Sequence, residues 1–469
     1  MSGSDGTGPR VGSGRAVWCV AFLAGVLSFG VRVGLILGWP GNFSFDSYQR
    51  WAGRDHVLVQ DWLPATQAVV VLVSRLGGDL VAARIALAAI GAIGAAASVL
   101  AAARVTARLT TNLPGATPLV TAVIAAQAGF FGPALAWSTV IYQEGMFLAV
   151  FYVGLALALH GRLLLADVAM GALGLVRYEG WPVVALYIAW RREPRAFAAA
   201  WGIAVWLVIQ VAGVEGFRAS PVSFADWEGI GSRFGDLAWF MHLAHLGQKA
   251  WVSGGWVWLV CAAVFAWRVG RDRLGVFLGA VLISQVLVTL AWMTGLEAAV
   301  SRMPVLPICL ANVMAAPAAA WMWARIPALP MRGIVLIAGS VFMAQRVEDA
   351  GIRVALETVY RRPEEGALTM MNQCPECVWW VDPIIAIGTR NRHDGCEAVQ
   401  GMSDMRVGTD FWCAVWLDPK EAPLRYAETD ATAEFSHAAG VYVVTRHPRG
   451  SVLPPVPPGR DMHATLNEE

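Results

Sequence analysis

Asp46 and Arg50 stand four residues apart in the stretch Asn42-Phe43-Ser44-Phe45-Asp46-Ser47-Tyr48-Gln49-Arg50-Trp51, directly after the first membrane-length apolar run. If a helix begins at Phe45, the two side chains lie one turn apart on one face. As an ordinary surface ion pair they contribute roughly a few tenths of a kcal/mol. The density of polar groups argues for more, because Tyr48, Gln49, Arg54, Asp55, His56 and Asp61 share the same loop. A carboxylate at the mouth of an apolar bundle is partly desolvated, which suits Asp46 to act as a base. It can equally ligate a divalent cation through oxygen. Asp61-Trp62-Leu63-Pro64 has two readings of its own. It is either part of this polar site or a helix start, with Pro64 in the first turn and Asp61 complementing the dipole.

Three later positions have the same character. Glu144, in Ser138-Thr139-Val140-Ile141-Tyr142-Gln143-Glu144-Gly145, sits at the outer start of an apolar run. It can cap a helix there, or point into a cavity and orient a substrate hydroxyl. Arg177-Tyr178-Glu179 interrupts another apolar stretch, and an arginine at membrane depth costs about 2.5–3.5 kcal/mol on insertion scales. Either Arg177 pairs with Glu179, or the guanidinium grips a lipid phosphate, for which its planar fork is well shaped. Arg302, followed by Pro304 and Pro307, either snorkels to the interface or binds phosphate, and the loosened helix favours phosphate.

These residues must be held by a membrane protein. The chain has 469 residues, 57% of them hydrophobic, with a mean hydropathy of +0.53 and 15% charged residues. A soluble domain would carry roughly a quarter charged residues. The 22 tryptophans supply interfacial belts. With a net charge of +1, nothing favours nucleic acid. Spanning runs are expected at 16–38, 80–103, 116–134, 139–159, 196–214, 251–269, 274–294, 303–324 and 331–347. The stretch 163–190 is too long for one span and is broken at Arg177–Pro182. The positive-inside rule puts the arginines at 104/108, 162, 191–195, 268–273 and 325/332 in the cytoplasm. That requires 163–176 and 181–190 to be two short helices hinged on the far side. The expectation is an all-α polytopic membrane protein of about eleven transmembrane helices.

Residues 1–15 then form a cytoplasmic tail, and the first run is too long for a signal-peptide core. Residues 16–347 form the transmembrane domain, whose first loop, 39–79, faces outward. Within that loop Pro64–Leu76 is apolar but too short to span, and reads as an interfacial or re-entrant helix. Residues 348–453 are expected to be a small extracytoplasmic α/β domain, with strands at Val378–Val381, Trp412–Leu417 and Val441–Thr445. Residues 454–469 read as a disordered tail. Four cysteines, Cys374, Cys377, Cys396 and Cys413, fall in this outer region. With His393 they have the spacing of a small zinc site, but an even number of cysteines outside the membrane favours disulfides, in any of three pairings.

Taken in order, several elements resemble the GT-C superfamily of integral-membrane glycosyltransferases, which contains protein O-mannosyltransferases and aminoarabinose transferases. They are Phe45-Asp46-Ser47-Tyr48, Asp61-Trp62-Leu63-Pro64, Ala82-Ala83-Arg84, Gln143-Glu144-Gly145-Met146-Phe147, Leu175-Val176-Arg177-Tyr178-Glu179-Gly180 and Arg302-Met303-Pro304. The resemblance implies a hexosyl- or mannosyl-type polyprenyl-phosphate donor and a lipid, glycan or protein acceptor. It also implies inverting transfer on the outer face of a plasma or inner membrane, with Asp46 as the catalytic carboxylate. Tyr48, Arg50, Asp61, Glu144, Arg177, Tyr178, Glu179 and Arg302 would bind the substrate and the lipid phosphate. Family members often carry two adjacent acids in this loop; Ser47 takes the second place here, which weighs against a paired-acid or metal-assisted site. No cofactor is required, although a divalent cation is compatible with the loop. Two rival classes are a transporter or lipid flippase of the cell-envelope pathway and a non-catalytic scaffold. The chain lacks the internal pseudo-repeats usual in transporters, and a scaffold leaves the polar first loop without a task.

Overall fold

In the computed structural model, the described residues are 12–38, 50–51, 54–58, 63–130, 135, 138–211, 243–244, 246–247, 250, 255–295, 305–326 and five strands between 378 and 447. The chain divides into two units. One comprises residues 1–38, 55–351 and 467–469, the other 39–54 and 352–466.

The first unit is helical. Its described helices are α1 (Gly12–Gly38), α2 (Pro64–Arg75), α3 (Leu80–Arg108), α4 (Pro118–Gln127), α5 (Glu144–Leu159) and α6 (Leu163–Ala172). They continue as α7 (Gly180–Arg191), α8 (Trp201–Val211), α9 (Trp256–Val269), α10 (Arg273–Gly295), α11 (Val305–Leu310) and α12 (Asn312–Trp323). Among the described residues, three helices are long and apolar enough to cross a membrane: Gly14–Gly38, Leu80–Arg108 and Arg273–Leu290. The others are shorter apolar segments.

Local chemistry explains the start of this unit. Pro64 opens α2, where its missing N–H removes a donor with no intrahelical partner anyway. The helix buries Thr66, Gln67, Val70 and Val71 and exposes Leu72, as an amphipathic surface helix should. Gly77, at φ +78°, lets the chain turn out of α2, with Gly78 N–H donating to Val73 O at 2.9 Å. Asp79 then caps α3, its carboxylate accepting from Ala82 N–H at 2.8 Å.

Helix α3 is the spine, packed on α1, α2, α4, α5 and α12. Its small residues allow close approach: a Cβ on Gly94 would lie 2.7 Å from Ala149 Cα of α5. Polar groups tie the helices together inside the apolar bundle. Thr106 and Thr121 share a hydrogen bond at 2.9 Å between α3 and α4, and Asn312 donates to Ala125 O at 3.3 Å between α12 and α4. Tyr152 OH donates to Cys309 O at 2.5 Å, joining α5 to α11.

Three expected runs are interrupted. Helix α5 begins at Glu144, because residues 139–143 turn instead of winding, with Tyr142 N–H bonded to Val140 O at 2.9 Å. The stretch 163–190 is two helices, as the charge pattern requires, separated by a 3₁₀ turn at Leu173–Leu175 and further turns to Glu179. The run 303–324 is divided at Ala311, between α11 and α12. The expected span 331–347 and the tails lie outside the described residues.

The second unit contains a five-stranded sheet of β1 (Val378–Val381), β2 (Cys396–Ala398), β3 (Phe411–Leu417), β4 (Ala433–His437) and β5 (Gly440–His447). Their order is β2-β1-β3-β5-β4. β1 pairs in parallel with β2 and β3, whereas β3/β5 and β4/β5 are antiparallel. The three expected strands are present, and β2 and β4 are additional. Cys396 and Cys413 lie on strands flanking β1, opposite Trp379 and Trp380 respectively. Strands two apart in a sheet are about 9.6 Å apart, beyond the ~7 Å Cα separation that a disulfide spans. That geometry removes the pairing Cys396–Cys413. Cys374 and Cys377 lie outside the described residues.

Candidate functional site

The break between α6 and α7 places a cation between two acids. Arg177 Nη1 donates to Glu144 Oε1 at 2.6 Å, Nη2 to Glu179 Oε1 at 2.6 Å and Nε to Glu179 Oε2 at 3.1 Å. The last two bonds form the parallel fork that guanidinium and carboxylate favour. All three side chains are buried, at about 5, 2 and 6% exposure respectively. Both roles weighed for Arg177 bear on this arrangement. Its pair with Glu179 is present, and its fork faces a carboxylate.

Each partner is held by a different element. Glu144 is the first residue of α5, where a negative side chain complements the helix dipole. Glu179 precedes α7, and its main-chain carbonyl accepts from Gln285 Nε2 of α10 at 2.8 Å. Half-buried Tyr178 lies edge-on to Trp181 and Trp206, with centroids 5.5 and 6.4 Å away. Trp181 Nε1 in turn donates to Gly174 O at 3.2 Å, satisfying a carbonyl freed by the 3₁₀ turn.

Two buried arginines hold the segment that presents Glu144. Arg32 of α1 donates through Nε to Ser138 Oγ at 2.7 Å and through Nη1 to Ser28 O at 3.1 Å, and it also bonds Ser28 Oγ. Arg84 of α3 donates through Nε to Thr139 O at 2.6 Å. Irregular backbone in a buried apolar setting is tolerated where protein donors replace water; Arg84 supplies one to Thr139 O, and Arg32 holds the Ser138 side chain beside it. Arg32 and Glu144 also line one cavity of about 40 Å³, with Ser98, Ser138, Tyr152 and Cys309 on its walls. The polar groups therefore form one connected layer, from α1 through Glu144 to the α6–α7 break and α10. Sequence patterning does not single out Arg32. The available signal is an arginine inside an otherwise apolar run, which membrane energetics marks for attention.

Of the remaining expected site residues, Arg50 is buried and belongs to the second unit. Asp46, Tyr48, Asp61 and Arg302 lie outside the described residues. Glu144, Arg177, Tyr178 and Glu179 are thus the expected residues that the structure brings together.

This helical bundle is similar in fold to solved structures. The particular solved structures it resembles are two of ArnT, an aminoarabinose transferase, from Cupriavidus metallidurans. Against ArnT bound to undecaprenyl phosphate the TM-score is 0.52 at 14% identity, covering 93% of this chain and 98% of that one. Against apo ArnT it is 0.50 at 15% identity, covering 92% and 98%. No protein-family model and no curated protein matches the sequence.

Proposed function

We propose that this protein is an integral-membrane glycosyltransferase that moves a sugar from a polyprenyl-phosphate donor to an acceptor hydroxyl on the outer face of a plasma or inner membrane. The observation that carries this reading is the fold, shared over nearly the full length with ArnT, whose structure holds undecaprenyl phosphate. The buried acid–arginine layer in the helical unit supports it, because polar groups at membrane depth are costly and kept where a function needs them.

In this mechanism Asp46 takes the proton from the acceptor hydroxyl as its oxygen bonds to the anomeric carbon. The carbon–oxygen bond to phosphate breaks on the opposite face, and polyprenyl phosphate leaves with the electron pair. One such displacement inverts the anomeric centre. Cations ease departure of the phosphate, and that role is proposed for Arg302. Arg177 is proposed as a positioning residue, since three of its N–H groups are already committed to Glu144 and Glu179. Glu144 is proposed to orient a sugar or acceptor hydroxyl, and substrate-binding roles are proposed for Arg50, Tyr48, Tyr178 and Asp61.

The test is incubation of the purified protein with a panel of polyprenyl-phosphate sugars, mannosyl and aminoarabinosyl donors included, with detection of released polyprenyl phosphate. Asp46→Asn should abolish release while leaving expression intact. Normal release by that variant would sink the assignment of the base, and no release from any donor would sink the function.

A further inference from the structure

Away from the acid–arginine layer, a second opening lies where the basic connections meet. Hydrogen bonds show that these helix ends share one end of the bundle. Arg108 Nη2 at the end of α3 donates to Leu159 O of α5 at 2.9 Å, and Arg273 Nη2 at the start of α10 donates to Trp190 O of α7 at 2.7 Å. Arg268 Nη2 of α9 donates to Asn112 O after α3 at 3.2 Å. Between these ends is a crevice of about 590 Å³, with Arg108, Trp190, Arg191, Glu193, Asp272 and Arg273 on its walls.

Three arginines and two acids line the crevice, so its walls carry one net positive charge. Arg191 is matched by Asp167 at 3.1 Å and Glu193 at 2.8 Å. Asp272 is used as a cap, its Oδ1 accepting from Leu274 N–H at 2.8 Å. Arg108 and Arg273 bond to backbone carbonyls, which orient a guanidinium without neutralising it. Arg104, Arg162, Arg192, Arg268 and Arg271, at or near the ends of these helices, are exposed as well.

The crevice also has an apolar side. Leu163 lines it, and the next residues of α6, Leu164 and Leu165, are 73 and 56% exposed on the bundle surface. Trp190 is fixed by stacking on Phe277, with ring centroids 4.8 Å apart. A cationic recess continuous with an exposed apolar helix face matches an amphiphile better than a soluble polyanion. The charge rule puts this end of the bundle on the cytoplasmic side, where anionic headgroups attract juxtamembrane arginines.

We propose that this crevice binds the headgroup of an anionic phospholipid of the cytoplasmic leaflet, the phosphate between Arg108 and Arg273 and an acyl chain along α6. The inference rests on the membrane-spanning reading of the chain and not on sugar transfer, and it is read out by binding alone.

The experiment is native mass spectrometry of the purified full chain titrated with dioleoyl phosphatidylglycerol, dioleoyl phosphatidylcholine or glycerol 3-phosphate. Phosphatidylglycerol should be retained in preference to both other probes. Arg108→Gln with Arg273→Gln should weaken its retention about 30-fold, at about tenfold per 1.4 kcal/mol and two near-surface arginines. The corresponding double lysine variant should stay within about threefold of the parent, and Arg195→Gln, off the crevice, should match it. If the glutamine pair fails to accumulate, Arg273→Gln alone carries the test at about fivefold. Equal retention of phosphatidylcholine, glycerol 3-phosphate binding as tight as the lipid, or unchanged retention in the glutamine variants would overturn the proposal.

Discussion

Replacing Arg177 by methionine removes a buried cation from between two buried carboxylates. In the parent its Nη1 lies 2.6 Å from Glu144 and its fork spans both oxygens of Glu179. Methionine fills much of the same volume but leaves two desolvated negative charges facing one another. Breaking a buried pair in this way costs about 3–5 kcal/mol, most of it the penalty of the orphaned charge. The lower figure shifts the folded-to-unfolded ratio about 150-fold, at about tenfold per 1.4 kcal/mol. The combined variant Arg177→Met, Glu144→Gln, Glu179→Gln removes the charges together with their partner. It should recover most of that loss, because neutral amides tolerate burial far better than carboxylates. Unfolding of the purified proteins in detergent, followed by tryptophan fluorescence during denaturant titration, measures both values. The reasoning fails if Arg177→Met lies within about 0.5 kcal/mol of the parent, the range of an inconsequential surface change. It fails equally if the triple variant is no more stable than the single one.

Other outcomes follow from the same geometry. Gly94→Val should cost about 1–3 kcal/mol, the range of overpacking, because even a Cβ there would meet Ala149 Cα at 2.7 Å; Gly30→Ala inside α1, with nothing within 4 Å, should instead leave stability unchanged or raise it by up to about 1 kcal/mol in the same unfolding assay. His160, past the end of α5, accepts from Arg104 Nε at 2.9 Å, and partial burial, with Arg104 and Arg108 adding to it, holds its pKa below the usual 6.5. The unfolded chain then binds more protons just below pH 6.5, so stability should fall as pH drops through that value toward the lowered folded pKa. Melting curves should show this slope in the parent and lose it in His160→Gln. In the sheet, peptide mapping of the oxidised protein should find no Cys396–Cys413 bridge, given the strand between them.

Much of the helical unit is legible in the sequence, because apolar run length and arginine placement are local signals. The division of 163–190 follows from charge alone, and the structure places turns there. The early end of the 139–159 run is less accessible. Nothing in Thr139-Val140-Ile141-Tyr142 forbids helix, and it is Arg84 and Arg32, reaching in from other helices, that bond to the non-helical segment. Strands β2 and β4 are similarly obscure. Cys396–Ala398 is three residues long, and Ala433–His437 mixes small and polar residues, so neither has the apolar signature that marks β1, β3 and β5.

The sequence by itself determined that long apolar runs dominate the chain and that acids and arginines interrupt them, because composition and hydropathy are sums over neighbouring residues. It also offered Glu179 as one of two partners for Arg177, the other being a lipid phosphate. Only the tertiary structure decided that Glu144, 33 residues earlier, shares that arginine, and that Arg32 reaches Ser138 across 106 residues. The physical reason is that a buried charge takes whichever partner packing brings within hydrogen-bond distance. That choice is made by helices meeting at small residues such as Gly94, far from either charge in the chain.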